Sequence, residues 1–274
     1  MQLYTSCKIC NSTIEPLIER KKIVECRNCK LIFFQEQLNH AEVKELYKKL
    51  YDCGDDIAYH AHIHQQELIG RGIQPQIGHN KKVIINKIIR SKPFCIGEIG
   101  AGVGIIGKYL TDKGFSYIGI ELDEAIATKA RESGINIQSG SFENLNAYKN
   151  TFDALIAFEV IEHIDDLKLC LTLIHHALHN KGKFGFTVPN FNKRKNYKGD
   201  PEKLYQPNPP VHVNFFTKEN ISEILKLFSF RIEYLQTRSF PNLNFKEKQT
   251  YIHLLKTIVG RFEGSTIMCI AVKE

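Results

Sequence analysis

The chain has 274 residues, 43% of them hydrophobic, with eight cysteines and a formal net charge of +7. That is enough for one main domain with a full core and a small accessory module. No apolar run reaches a membrane-spanning length, and Met1 to Cys10 lacks the basic-then-apolar pattern of a secretory leader, so composition predicts a cytoplasmic protein with no membrane partner.

The first element is set by cysteine spacing. Cys7-x2-Cys10 and Cys26-x2-Cys29 form two close pairs with fifteen residues between them, the spacing at which two knuckles offer four thiolates to one tetrahedral zinc ion. Residues 1–35 therefore read as a zinc ribbon ending in the strand Leu31-Ile32-Phe33-Phe34, with metal binding supplying folding free energy that so few residues cannot gain from burial. Lys8, Arg20, Lys21, Lys22, Arg27 and Lys30 against Glu15, Glu19 and Glu25, six cations to three acids, leave the ribbon at plus three. Scaffolding or substrate docking is its expected use, ahead of nucleic-acid contact. The lone Cys53, Cys95, Cys170 and Cys269 sit mostly in apolar surroundings and read as buried, inert thiols.

Residues 36–92 read as a helical connector or cap. Val43, Leu46, Tyr47 and Leu50 recur at helical spacing between Ala41 and Tyr51. A polar segment follows around Tyr59 to Ile69, and a third helix runs from His79 to Arg90. His60, His62 and His64 read as a solvated face, and Tyr59 is placed to cap a ligand from this connector.

From residue 93 to 274 short apolar runs alternate with amphipathic helices, which predicts an α/β fold, a Rossmann-like doubly wound sheet. Strands are expected at Phe94–Gly100, Tyr117–Leu122, Ile135–Gln138, Phe152–Phe158 and Lys183–Val188. Helices are expected at Ile105–Lys113, Glu124–Ser133 and Leu167–His179. Thr217 caps a helix through Phe228, and strands near Phe230–Gln236 and Thr266–Val272 flank an insertion whose Tyr251, Leu254, Leu255 and Ile258 form a helical stripe.

The first strand ends in Glu98-Ile-Gly100-Ala101-Gly102-Val-Gly104, at the sheet edge where such folds hold ligands. Gly100 permits a sharp turn, and Gly102 lets backbone approach a ligand closely. Gly102, Gly104 and Gly107 match a dinucleotide spacing, so spacing alone leaves a pyrophosphate open. The acid at Glu98 argues instead for a cationic ligand. Twenty-one residues after Gly100, Glu121 with Leu122 ends the second strand, where a carboxylate accepts both hydrogens of a ribose diol. Ser141 and Phe142 follow the third strand, either against an adenine or as a plain turn with Phe142 in the core.

These residues resemble the class I S-adenosylmethionine-dependent methyltransferases over about Lys92 to Phe230, and within them the ubiquinone-biosynthesis-like O-methyltransferase branch. The latter rests on Phe152-Asp153-Ala-Leu-Ile-Ala-Phe158-Glu159-Val-Ile-Glu162-His163 and on Pro210-Val-His212-Val-Asn-Phe215-Phe216-Thr217. The resemblance implies that Glu98 to Gly104 hold the methionine part of S-adenosyl-L-methionine, Glu121 the ribose, and Phe158 and Glu159 the methyl donor. Glu159, Glu162 and His163 share one face if their turn is helical. With His212 they resemble the ligand set of magnesium-dependent O-methyltransferases, although Glu-His at this point also occurs in metal-free relatives. Without metal, His163 or His212 is the expected general base.

Between Pro189 and Pro210 lie Lys193, Arg194, Lys195, Tyr197 and Lys198, an expected acceptor lid whose charges suit a phosphate-bearing acceptor. The expected activity is methylation of a hydroxyl on a small polar acceptor: a sugar, nucleotide sugar or quinone-like ring. RNA methylation is the second reading, and a non-catalytic binding module the third.

Overall fold

The computed structural model describes residues 3–37, 42, 57–195, 212–238, 248–259 and 262–274. The expected helix at Ala41 to Tyr51, Cys53, Tyr197 and the prolines from Pro201 to Pro210 lie outside these, as do the side chains of Tyr59, His60, His62, Arg194 and Lys195.

The ribbon is a small antiparallel sheet. Strand β1 (Ile14–Ile18) pairs with β2 (Ile23–Cys26), and β2 with β3 (Ile32–Phe34). The turn between β1 and β2 is a single 3-10 turn closed by Lys22 in the left-handed region at φ 51°. Period-two alternation along β2 and β3 decides what each residue covers. Val24 and Phe33 face inward with Leu31 to a large apolar cluster, while Ile23 and Ile32 meet Phe191 and Phe215 on the other side.

Helix α1 (Ile57–Gly70) and α2 (His79–Ile89) lead into the main sheet. In chain order come β4 (Cys95–Ile99), α3 (Ile105–Asp112), β5 (Ser116–Glu121), α4 (Glu124–Glu132), β6 (Ile137–Ser139), β7 (Phe152–Phe158), α5 (Leu167–Ala177) and β8 (Leu178–Pro189). Then follow α6 (Phe191–Lys195), β9 (Asn214–Phe215), α7 (Lys218–Leu227), β10 (Phe230–Thr237), α8 (Lys248–Ile258) and β11 (Thr266–Lys273). The seven-stranded sheet has the order β10-β11-β8-β7-β4-β5-β6. Its strands run parallel except β11, which is antiparallel to both neighbours.

The expected doubly wound fold is therefore present. Alternate residues of each strand enter two cores: Ile96, Ala154, Ile156 and Ile270 meet α2, α3 and α4, whereas Ile99, Leu155, Ala157 and Phe186 meet α5 and α7. Near-continuous apolar strands such as Phe152–Phe158 are what a sheet covered on both faces requires.

Two features depart from a plain reading of the pattern. The ribbon sheet gains a fourth strand, β9, contributed by a segment almost two hundred residues later and paired to β3 through Ile32↔Phe215 and Phe33↔Asn214. The ribbon's inner residues Ile9, Val24, Leu31 and Phe33 also belong to the same cluster that fills the α5 and α7 face of the main sheet. The stripe in the insertion does fall on a helix, α8, but Tyr251, Leu255 and Ile258 point to solvent.

Candidate active site

The tips of β4, β5 and β6 meet at one edge. The amides of Gly100 and Ala101 both donate to the Ile120 carbonyl, and Gly140 donates to the carbonyl of Glu121, at 2.9 to 3.1 Å. The glycine loop is thereby fastened to the neighbouring strand before any ligand is considered. Gly100 turns at φ 71°, where a β-carbon would lie 2.6 Å from a Val160 methyl. Gly102, at φ 53°, differs: a β-carbon there would meet nothing within 4 Å, so its backbone borders open space that a ligand can fill.

Glu121 stands beside that space. Its carboxylate accepts from the Gly102 amide at 2.7 Å and from the Asp123 amide at 3.0 Å. Each oxygen keeps a second lone pair for another donor. Leu122 is exposed next to it, and Ala101 is buried in the loop. Across the edge, the Ser141 hydroxyl accepts from the Glu143 amide and so starts a 3-10 turn over Phe142–Ala147. Phe142 is half-buried against the core cluster containing Leu145.

Glu98 lies deeper than its place in the sequence suggests. It is buried and receives a 2.6 Å hydrogen bond from the Tyr117 hydroxyl. Burial pushes its carboxyl up to about 8, although the Tyr117 hydroxyl and the Lys81 ammonium both favour the ionised form. Lys81 of α2 also stands 5.5 Å from the centre of the Phe158 ring. Nothing in the polar sequence around Lys81 singles it out. Its role in this corner comes from α2 packing over β8 and β11, which only the tertiary structure shows.

The other half of the site follows β7. Phe158 is buried, and Glu159 then turns into the left-handed region at φ 58° while its amide donates to Thr187. A non-glycine residue held there costs on the order of 1–3 kcal/mol, a strain found mostly at functional turns. The turn becomes 3-10 only over Ile161–His163. Glu159 is therefore outside the helical turn and exposed, and the expected common face of Glu159, Glu162 and His163 does not form. Glu162, His163 and His212 do come together, with one possible ligand atom from each lying within 4.8 Å of the others. Glu162 is buried, His163 Nε2 lies 3.9 Å from its Oε1, and the two imidazoles meet edge to face at 4.7 Å.

The segment carrying His212 is tied to this turn. The Val213 amide donates to the Glu162 carbonyl at 2.8 Å, and the buried Asn214 amide group donates to the carbonyls of Ile161 and Ile164. Asn214 was not among the expected site residues. Its only signal is one amide in the apolar run Val213 to Phe216. Among the described residues the other metal-capable group is Cys7, Cys10, Cys26 and Cys29. Cys7 and Cys29 sulfurs are 3.5 Å apart, as are those of Cys10 and Cys26. A tetrahedron with Zn–S bonds of about 2.3 Å has edges of about 3.8 Å. The amides of Ile9 and Asn28 also point at the Cys7 and Cys26 sulfurs, each at 3.4 Å. The four thiols thus fit zinc in number, spacing and knuckle geometry.

Residues 69–235 match the family model described as "Methyltransferase domain". The chain belongs to this methyltransferase family. The matched stretch carries the glycine loop, Glu121 and the His163–His212 cluster, and begins after the ribbon. The chain is similar to a probable S-adenosylmethionine-dependent methyltransferase of Mycolicibacterium smegmatis, 25% identical over 138 residues, 50% of this chain and 51% of the relative. An uncharacterised protein of Methanocaldococcus jannaschii is 31% identical over 110 residues, 39% of this chain and 46% of that protein. The chain spans about half the length of these curated relatives. The methyltransferase fold itself recurs in an S-adenosylmethionine-dependent methyltransferase of Mesorhizobium loti, with TM-score 0.53 and 16% identity over 72% of this chain and 99% of that one. It also recurs in a chain of the Haloferax volcanii complex of the Trm112 methyltransferase activator, with TM-score 0.57 and 13% identity over 77% and 96%.

Proposed function

We propose that this chain transfers the sulfonium methyl group of S-adenosylmethionine to a hydroxyl of a small polar acceptor such as a sugar, a nucleotide sugar or a quinone-like ring. The observation that carries the reading is the open space at Gly102, bordered by backbone and by the Glu121 carboxylate. That arrangement suits a nucleoside whose ribose hydroxyls donate to Glu121 and whose charge is positive. Ser141, Phe142 and Leu122 would line the base, Glu98 to Gly104 the amino-acid end, and Phe158 and Glu159 the donor methyl. Lys81 is placed to pair with a carboxylate at that end. A cationic group set against Glu98 would draw off the proton that burial holds there.

S-Adenosylmethionine supplies an activated methyl group that needs only an in-line nucleophile. The protein's part is positioning and removal of the acceptor proton. His163 and His212 are the candidate bases, with the Glu162 Oε1 3.9 Å from His163 Nε2. The same three side chains also offer a divalent cation one carboxylate and two imidazoles. That set is poorer in oxygen than magnesium prefers and closer to what a transition metal takes. Zinc in the four-cysteine site would serve as structure. Thiols kept free for zinc suit a reducing compartment, which supports a cytoplasmic location; among the described residues no helix is long and apolar enough to cross a membrane.

RNA methylation is the second reading, favoured by the +7 charge. It predicts RNA affinity that falls steeply with salt. Calorimetry with S-adenosylmethionine tests the first reading: the wild type binds and Gly102→Arg does not. Equal binding by both, or by neither, overturns it. Labelled-donor acceptor profiling after chelation, with and without added divalent metal, separates the base reading of the histidines from the metal reading.

A further inference from the structure

The ribbon touches the acceptor side at two points, and both lead to a histidine. Lys8 sits inside the first knuckle, between Cys7 and Cys10, with its side chain only 3% exposed. Its ammonium donates to Asp165 Oδ1 at 3.1 Å, and the Tyr4 hydroxyl donates to Asp165 Oδ2 at 3.1 Å. Both carboxylate oxygens of Asp165 are thus held by ribbon residues. Lys8 also lies 5.3 Å from the Phe33 ring centre and 5.5 Å from that of Tyr4. Asp165 is two residues past His163 and one before Asp166, whose side chain caps α5.

The second contact is a relay through backbone. Phe34 of β3 donates to the Val213 carbonyl at 2.9 Å, and the Val213 amide donates to the Glu162 carbonyl at 2.8 Å. One ribbon strand therefore holds the residue after His212, and that residue holds the one before His163. An ion pair this buried is poorly replaced by water, because a lone charge left inside protein is costly. A zinc ion held by the four cysteines would order the knuckle that presents Lys8.

We propose that the metal-ordered knuckle, acting through Lys8 and β3, positions His163 and His212 against each other, so that zinc occupancy governs the acceptor side and leaves the cofactor edge untouched. The proposal rests on reading the four cysteines as a zinc site and on the acceptor-side role given to the two histidines. Lys8 and Asp165 are positioning residues in it.

The test uses the full zinc-loaded chain and the variants K8M, K8R and D165N, with zinc measured by elemental analysis. In K8M and D165N zinc is retained and S-adenosylmethionine affinity stays within about twofold of wild type. Amide exchange in residues 161–166 and 212–217 speeds up by about tenfold or more, as expected for a locally loosened segment. The imidazole resonances of His163 and His212, assigned with labelled histidine, shift in both variants and return toward wild type in K8R. Zinc removal from the wild type gives the same local signature at those segments with unchanged exchange in 98–104 and 116–121. Unchanged exchange and unchanged imidazole signals in zinc-loaded K8M and D165N overturn the proposal, as does loosening that spreads equally to the glycine loop. Should K8M not fold, D165N, which leaves the ribbon's own residues intact, carries the comparison. If wild type binds no S-adenosylmethionine, the functional reading fails while the exchange data still decide the coupling.

Discussion

The two halves of the candidate site are built in different ways. The cofactor edge is assembled from consecutive strand tips: Gly100 to Gly104, Glu121 and Gly140 all follow adjacent strands β4, β5 and β6, and short backbone bonds join them. The acceptor side draws on segments scattered over the chain, with Tyr4 and Lys8 from the ribbon, Glu162 to Asp165 after β7, and His212 to Asn214 ahead of α7. The first is a property of the parallel sheet and recurs wherever that sheet does. The second depends on long-range docking, so it is where one member of the family can differ from another.

The largest break in this comparison is expected at the metal ligands. The wild type is expected to carry about one zinc per chain and C26S and C29S to lose it, with a loss of several kcal/mol of stabilisation in the ribbon. Elemental analysis and thermal melting check both. Next comes the cofactor edge alone. G102R is expected to weaken S-adenosylmethionine binding about a hundredfold or more while the chain still folds, since a side chain there meets open space and pays only the roughly 1–2 kcal/mol of a left-handed backbone. Calorimetry and circular dichroism separate the two effects.

On the acceptor side, N214A strips donors from the carbonyls of Ile161 and Ile164. It is expected to cost about 1–3 kcal/mol in denaturant unfolding, with cofactor affinity unchanged. A fall in cofactor affinity would mean that the halves are less separable than drawn. A separate test, read as a pH dependence, concerns Glu98. Its carboxyl titrates near 8 in the folded chain against a reference value of 4.5. Between those limits the folded chain keeps a proton that the unfolded chain has lost. The contribution to stability is whole below about pH 4.5, declines as pH rises, and levels off above about 8, by at most about 1.4 kcal/mol per unit. E98Q should flatten that slope in unfolding curves taken from pH 5 to 8, and an unflattened slope would locate the pH dependence elsewhere.

What could be read from the sequence follows the same division. The strand order around Gly100 to Gly104, the cap at Thr217 and the cysteine pairs are local patterns, and a local pattern carries its geometry with it. Glu159 shows the limit: three residues at helical spacing imply one face only if the turn is helical throughout, and the left-handed backbone at Glu159 breaks that condition. Glu98 was recognisable as an acid at the loop, but its burial under Tyr117 depends on the neighbouring strand's register. The pairing of β3 with β9, the Lys8–Asp165 ion pair and the arrival of Lys81 near Phe158 join residues that no spacing rule connects.

The shared strand has a practical corollary. A polypeptide that starts at residue 69 and keeps everything after it would retain every residue of the cofactor edge and all seven strands of the main sheet yet bare the hydrogen-bonding rim of Asn214 and Phe215, together with the apolar ground on which Val24, Leu31 and Phe33 now rest. Such a rim invites edge-to-edge association between copies, so the shortened protein is expected to bind its nucleoside and to precipitate.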